Sequence, residues 1–168
     1  MSDTKLRRGH VEDAAALNAI YDHYIRETAI TFDLEPWAEA KRRAWLDGFA
    51  DTGRYQIFVA ERAGTVVGYA CTHRFRDKAA YDTTLETSVY LAPEACGLGL
   101  GRALYEHLFA ALEGVDAHLL MAGITLPNPA SLRLHERMGF EPIGVMREVG
   151  RKFGRYWDVL WLRRALDG

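Results

Sequence analysis

The chain has 168 residues, 49% apolar and 26% charged, with a formal net charge of −2. One soluble globular domain spanning 1–168 is the simplest organisation, and so balanced a charge speaks against a broad electrostatic surface for nucleic acid or membrane. Two cysteines, Cys71 and Cys96, are too few for a disulfide framework and too isolated for a zinc site; with no signal-peptide core and no long apolar run, the expected setting is the cytoplasm.

In chain order, Lys5–Arg8 reads as a short first strand. Val11–Glu27 reads as a helix, because Ala14, Leu17, Ile20, Tyr21, Tyr24 and Ile25 form one stripe and Glu12 and Asp13 stand at its positive end. Pro36 is placed to open a second helix to about Ala50, with Trp37, Ala40, Ala44, Trp45 and Phe49 on one side. Gln56–Arg62 and Thr65–Arg74 form a hairpin turning at Ala63-Gly64, and a polar, basic loop from His73 to Lys78 follows.

The stretch Thr84–Leu112 organises the rest. Leu85, Thr87, Val89 and Leu91 alternate with Glu86, Ser88 and Tyr90 as a strand, and Pro93 ends it. Gly97, Gly99 and Gly101 then precede a helix with Leu100, Leu104, Leu108, Ala111 and Leu112 on one face. Glycines before bare helix N–H groups suit an anion such as a pyrophosphate. The turn is neither a dinucleotide fingerprint nor a P-loop: G-x-G-x-x-G would need glycine at Arg102 or Leu104, and Gly101-Arg102-Ala103 stands where G-K-[ST] would be required.

Leu119–Thr125 is apolar and short, as a central strand buried on both faces would be. Asn128-Pro129 supplies an N-cap and a first-turn proline for a helix that Gly139 ends. Glu141–Val149 and Tyr156–Leu166 read as two last strands around Gly150–Gly154. The order βααβββαβαββ predicts a mixed α/β fold with helices on both faces of one sheet.

Cys96-Gly97-Leu98-Gly99-Leu100-Gly101 resembles the Q/R-x-x-G-x-G/A pyrophosphate loop of the GCN5-related N-acetyltransferase superfamily. Asn128-Pro-Ala-Ser-Leu-Arg-Leu-His-Glu-Arg-Met-Gly-Phe140 resembles its second signature, in the right order and about 30 residues on. Asp22–Ile25, Thr31–Pro36, Ala80–Pro93, Leu104–Leu108 and Gly154–Val159 are similar to the branch that acetylates phosphinothricin, methionine sulfoximine and methionine sulfone. That resemblance implies an acyl-CoA N-acyltransferase fold of about seven strands whose fourth and fifth splay apart. It implies acetyl-CoA as co-substrate, a small amino-acid-like amine as acceptor, and a homodimer. Cys96 departs from the Arg or Gln that usually opens the loop. His135 stands where most of the superfamily has tyrosine, as it does in this branch.

The resemblance assigns cofactor contacts to Ser88, Val89, Tyr90 and Leu91 on the strand, to Gly97, Leu98, Gly99, Leu100, Gly101 and Arg102 in the loop, and to Asn128. It assigns substrate contacts to Phe32, Arg76, Lys78, Tyr81, Glu86, Tyr105, His135 and Val159, the two cations suiting anionic groups. An amine attacks a thioester only when unprotonated, so a base is useful, and Glu86 is the candidate. His135 is base, substrate contact or acid toward the departing thiolate, and Tyr90 orients substrate or assists proton transfer. Backbone N–H groups of Val89–Leu91 suit a developing oxyanion. The remaining histidines show no metal spacing, so no metal is expected. Two other functions fit the same fold: an acetyl-CoA sensor without turnover, and a protein or peptide N-acetyltransferase, which would need an open groove.

Overall fold

The computed structural model describes residues 4–166. Its elements run β1 (Thr4–Arg8), α1 (Ala14–Glu27), α2 (Glu39–Leu46), β2 (Ile57–Arg62), β3 (Thr65–Arg74), β4 (Thr84–Leu91), α3 (Leu100–Ala110), β5 (Leu119–Thr125), α4 (Pro129–Arg137), β6 (Glu141–Lys152) and β7 (Arg155–Ala165). This is the element order expected from the periodicities. The strands form one mixed sheet, β1-β2-β3-β4-β5-β7-β6, in which only the β4–β5 pair is parallel.

Local chemistry accounts for the elements around the centre. Ala63 and Gly64 both take positive φ, +48° and +80°, the twist a two-residue hairpin turn needs between β2 and β3. β4 alternates as its sequence predicts. Tyr90 meets Tyr21 and Tyr24 of α1 edge-on, with ring centres 5.1 and 5.2 Å apart, while Leu91 points the other way, toward Gly101 of α3 and Leu134 of α4. The two faces of β4 therefore serve two helical layers. Leu85, Leu104, Leu108 and Leu120 lie wholly inside the core so formed.

β4 and β5 stay paired over only three positions, Thr84–Glu86 against Leu119–Met121. β4 keeps β3 as far as Leu91, and β5 keeps β7 as far as Thr125. Each strand follows its antiparallel partner, so the sheet opens beyond Glu86 and the β5-facing edge of Thr87–Leu91 has no strand beside it. This is the expected splay.

Two expectations need correction. The second helix starts at Glu39, not Pro36. Trp37 lies before the helix and Ala38, the N-cap, is extended; the Trp37 carbonyl accepts from Asn18 Nδ2 at 2.9 Å and its indole N–H donates to Asp33 at 3.1 Å. The buried side of α2 is consequently Arg42 and Leu46, while Ala40 and Ala44 face solvent. In addition, β6 runs past Gly150 to Lys152, and Phe153-Gly154 makes the turn at positive φ. Gly150 is required inside the strand because the Phe32 ring lies where its Cβ would be. Lys152 completes the latch, its Nζ donating to the Thr31 carbonyl at 2.8 Å.

Candidate active site

Where the sheet opens, a hollow of about 60 Å³ is walled by Thr87–Tyr90 of β4, Ala122–Thr125 of β5, Tyr105 of α3, and Asn128, Ser131 and His135 around α4. The structure thus brings together Ser88, Val89, Tyr90, Tyr105, Asn128 and His135, six residues the resemblance assigns. Val159 pairs with Thr125 on the far side of β5.

Glu86 stands at the last paired position before the opening, on the same face of β4 as Ser88 and Tyr90. It is half-buried, and the loss of water raises its pKa above the ordinary carboxylate value, opposed by the charge of His73. His73 is its register partner on β3, and His73 Nε2 lies 3.5 Å from Ser88 Oγ. A carboxylate with a raised pKa accepts a proton more readily than an exposed one.

His135 is buried and spoken for at both nitrogens. Nδ1 lies 2.8 Å from the Ser131 carbonyl, which can only accept, so Nδ1 carries the hydrogen. Nε2 is then the acceptor for the Tyr105 hydroxyl at 3.0 Å. Burial lowers the His135 pKa and raises that of Tyr105, so both are neutral at rest. Burial likewise pushes the Tyr90 phenol well up and keeps it protonated. The Tyr24 hydroxyl donates to the Leu91 carbonyl at 2.6 Å and occupies that end of the open edge.

The glycine loop has the shape of an anion cradle. Gly97 and Gly99 hold φ of +79° and +78°, and a Cβ at either would point into open space. The first-turn N–H groups of α3 beyond Gly99 have no intrahelical partner. Leu98 is half exposed and Leu100 is buried. Gly101 serves packing instead: its added Cβ would stand 3.2 Å from Leu134. Arg102 Nε reaches along the surface to Glu106 at 2.6 Å, and Cys96 is exposed, its thiol donating to the Ala92 carbonyl at 3.6 Å. Asn128 is the expected cap, accepting from Ser131 N at 3.2 Å.

Besides Glu86 and Val159, four further expected substrate contacts lie outside this hollow. Phe32 packs on Gly150. Arg76 and Lys78 are exposed, with Arg76 over the rings of Phe75 and Tyr81, and Tyr81 lines a separate groove with Phe75, Met121 and Ile143. Among the described residues no group of three His, Cys, Asp or Glu is arranged to hold a metal ion.

The family model described as "Acetyltransferase (GNAT) family" matches residues 17–140. The chain belongs to that family. The phosphinothricin N-acetyltransferase of Streptomyces coelicolor is 49% identical over 98% of each chain. The L-methionine sulfoximine/L-methionine sulfone acetyltransferase of Pseudomonas paraeruginosa is 37% identical over 96% of this chain and 94% of its own. The solved structure of a GNAT superfamily phosphinothricin acetyltransferase from Sinorhizobium meliloti, in complex with AcCoA, matches with a TM-score of 0.91 at 32% identity, covering 97% of this chain and 88% of that one.

This GNAT protein is therefore an N-acetyltransferase of the phosphinothricin and methionine sulfoximine branch. Two buried or part-buried groups on the α1–α2 side of β4, next to its site, were missed from sequence. His73 was passed over because its pairing with Glu86 depends on the β3–β4 register. Arg42 was passed over because a Lys41-Arg42-Arg43 run reads as a solvated helix face.

Proposed function

We propose that the enzyme moves the acetyl group of acetyl-CoA to the α-amino group of a small amino-acid-like acceptor, of the phosphinothricin, methionine sulfoximine or methionine sulfone type. The observation that carries this reading is Glu86, a half-buried carboxylate of raised pKa at the mouth of the sheet opening. The names of the relatives supply the acceptor class.

Backbone N–H groups of Gly97–Arg102 would hold the pyrophosphate, and the unpaired β4 edge would hold the pantetheine amides. Acetyl-CoA, when bound, supplies the activated thioester. Glu86 takes the proton that the acceptor ammonium must lose, directly or through one water. N–H groups of the β4 edge face the carbonyl oxygen as it gains charge. The Tyr105 hydroxyl, positioned by His135 Nε2, supplies a proton to the departing sulfur, and the tyrosinate then regains a proton from solvent after thiol release. The enzyme works as a homodimer through the β6 face, which exposes Ile143, Val145, Met146 and Val149.

The test is release of free thiol from acetyl-CoA over a panel of amino acids including those three acceptors. Acceptor-dependent release with the N-acetyl product identified by mass is the expected result. Binding of acetyl-CoA without release for any amine would refute turnover.

A further inference from the structure

Glu86 has few neighbours on its face of the sheet, and the register identifies each. On β5 its partner is Met121, buried and apolar, with Leu119 and Gly123 on the diagonals. On β4 itself Thr84 and Ser88 stand two residues away on the same face. On β3 the diagonal neighbour is Cys71, and the residue directly opposite is His73. Burial pushes the Cys71 thiol up to about 12, so it stays neutral. Within this ring of neighbours, His73 is the residue that can place a positive charge beside the carboxylate. Its own ring is half-buried and oriented. Nδ1 lies 3.3 Å from the Arg74 carbonyl, which can only accept, so Nδ1 carries the hydrogen, and Nε2 lies 3.5 Å from Ser88 Oγ. His73 also lines a second hollow, of about 360 Å³, which shares Ser88 and Tyr90 as walls with the first. The other titratable groups around it are Tyr21 of α1, Arg42 of α2, Tyr69, Cys71 and Arg74 of β3, and Tyr90 of β4. Burial raises the three phenols and keeps them neutral, the arginines stay charged throughout, and Arg74 is directed to Asp82 at 3.9 Å. Histidine is the side chain whose charge changes near neutral pH, and His73 is the histidine lining this hollow.

We propose that His73 is a positioning residue for acetyl transfer, holding Glu86 ionised beside the acceptor amine. This deepens, and rests on, the acetyl-transfer reading above. Burial by itself favours the neutral carboxylic acid, which can take no proton from an ammonium. The charge of His73 acts against burial and restores the basic form. Its effect is to set the pH at which the base becomes available, rather than to strengthen the base. The same charge serves the end of the cycle: once the acceptor's N–H bond has broken and Glu86 has gained an O–H, a cation opposite favours release of that proton to solvent and returns the carboxylate.

The experiment measures kcat/KM for thiol release from pH 5 to 10, with methionine sulfone as acceptor, for wild type, His73→Gln, His73→Asn and His73→Arg. With the imidazole gone and burial unopposed, the acid limb of His73→Gln should move to higher pH by about half a unit or more. On that limb kcat/KM then falls about threefold or more, while at pH 9 it stays within about twofold of wild type. His73→Arg, a fixed cation, should return the limb to its wild-type position or below. In a Glu86→Gln background no carboxylate is left to hold, so adding His73→Gln should change the profile no further. An acid limb unmoved in His73→Gln overturns the proposal, and an equal loss at every pH would make His73 a packing residue and overturn it too. So would a His73→Arg limb displaced as far as that of His73→Gln, or a His73→Gln effect that persists without Glu86. His73→Asn is read against the same outcomes should His73→Gln not fold. Wild type that releases no thiol with any amine refutes acetyl transfer itself. Active wild type whose acid limb is indifferent to His73 refutes only this assignment.

Discussion

Replacing Glu86 by Gln keeps the side chain's size and its place beside His73 but removes the basic form. An acceptor amine of pKa about 9 is free in only about one molecule in a hundred at pH 7. Without a base, reaction waits for that fraction, so kcat/KM at pH 7 should fall by about two orders of magnitude, or about 2.7 kcal/mol of barrier. Each unit of pH above 7 multiplies the free fraction about tenfold, so the deficit should close near pH 9. The wild type should also lose activity on the acid side as Glu86 gains its proton. Burial raises that pKa, so this limb lies above the range of an exposed carboxylate, and Glu86→Gln should lack it. Initial rates of thiol release from pH 5 to 10, with acetyl-CoA affinity measured by calorimetry, read both effects. A folded Glu86→Gln enzyme with near wild-type kcat/KM at pH 7 would remove Glu86 from proton transfer and leave His135 as the base.

Gly101→Val should overfill the α3–α4 contact at Leu134 and cost about 1–3 kcal/mol, a fall of a few degrees or more in Tm. An unchanged melting curve would show that the contact yields freely. Tyr105→Phe removes the hydroxyl that reaches His135 Nε2, and should lower kcat about a hundredfold while acceptor KM changes less than about threefold; unchanged kcat would take the pair out of the reaction. Burial holds the Lys152 pKa below its ordinary value, so the unfolded chain binds more protons between the two values and stability from this group rises with pH across that window. Lys152→Met should abolish that slope, giving a wild-type Tm that gains on the variant's as pH rises toward 10. A constant difference in Tm from pH 7 to 10 would contradict it.

Much of the architecture was legible because it is written in local periods and turn chemistry. The alternation from Leu85 to Leu91, the leucine stripe from Leu100 to Leu108, the Ala63-Gly64 turn and the Asn128-Pro129 cap each depend on residues within one element, and each stands where it was read. Glu86 and His135 were legible through motif resemblance, and the structure puts His135 at the opening with Glu86 at its edge. Other features depend on what a distant segment does. Pro36 could open a helix, but Asn18 and Asp33 hold Trp37 by hydrogen bonds outside it and the helix starts at Glu39. Gly150 reads as a turn residue until Phe32, far away in sequence, is found against it. The middle cation of Lys41-Arg42-Arg43 is turned inward because α2 begins three residues late and three aromatic rings converge there, and nothing within the run encodes that. Periodicity names the faces of an element, whereas register and packing between elements decide which side chains meet. The sequence by itself therefore determined the strands, helices and family of this protein, and the tertiary structure alone set His73 opposite Glu86 and buried the Arg42 guanidinium among three aromatic rings.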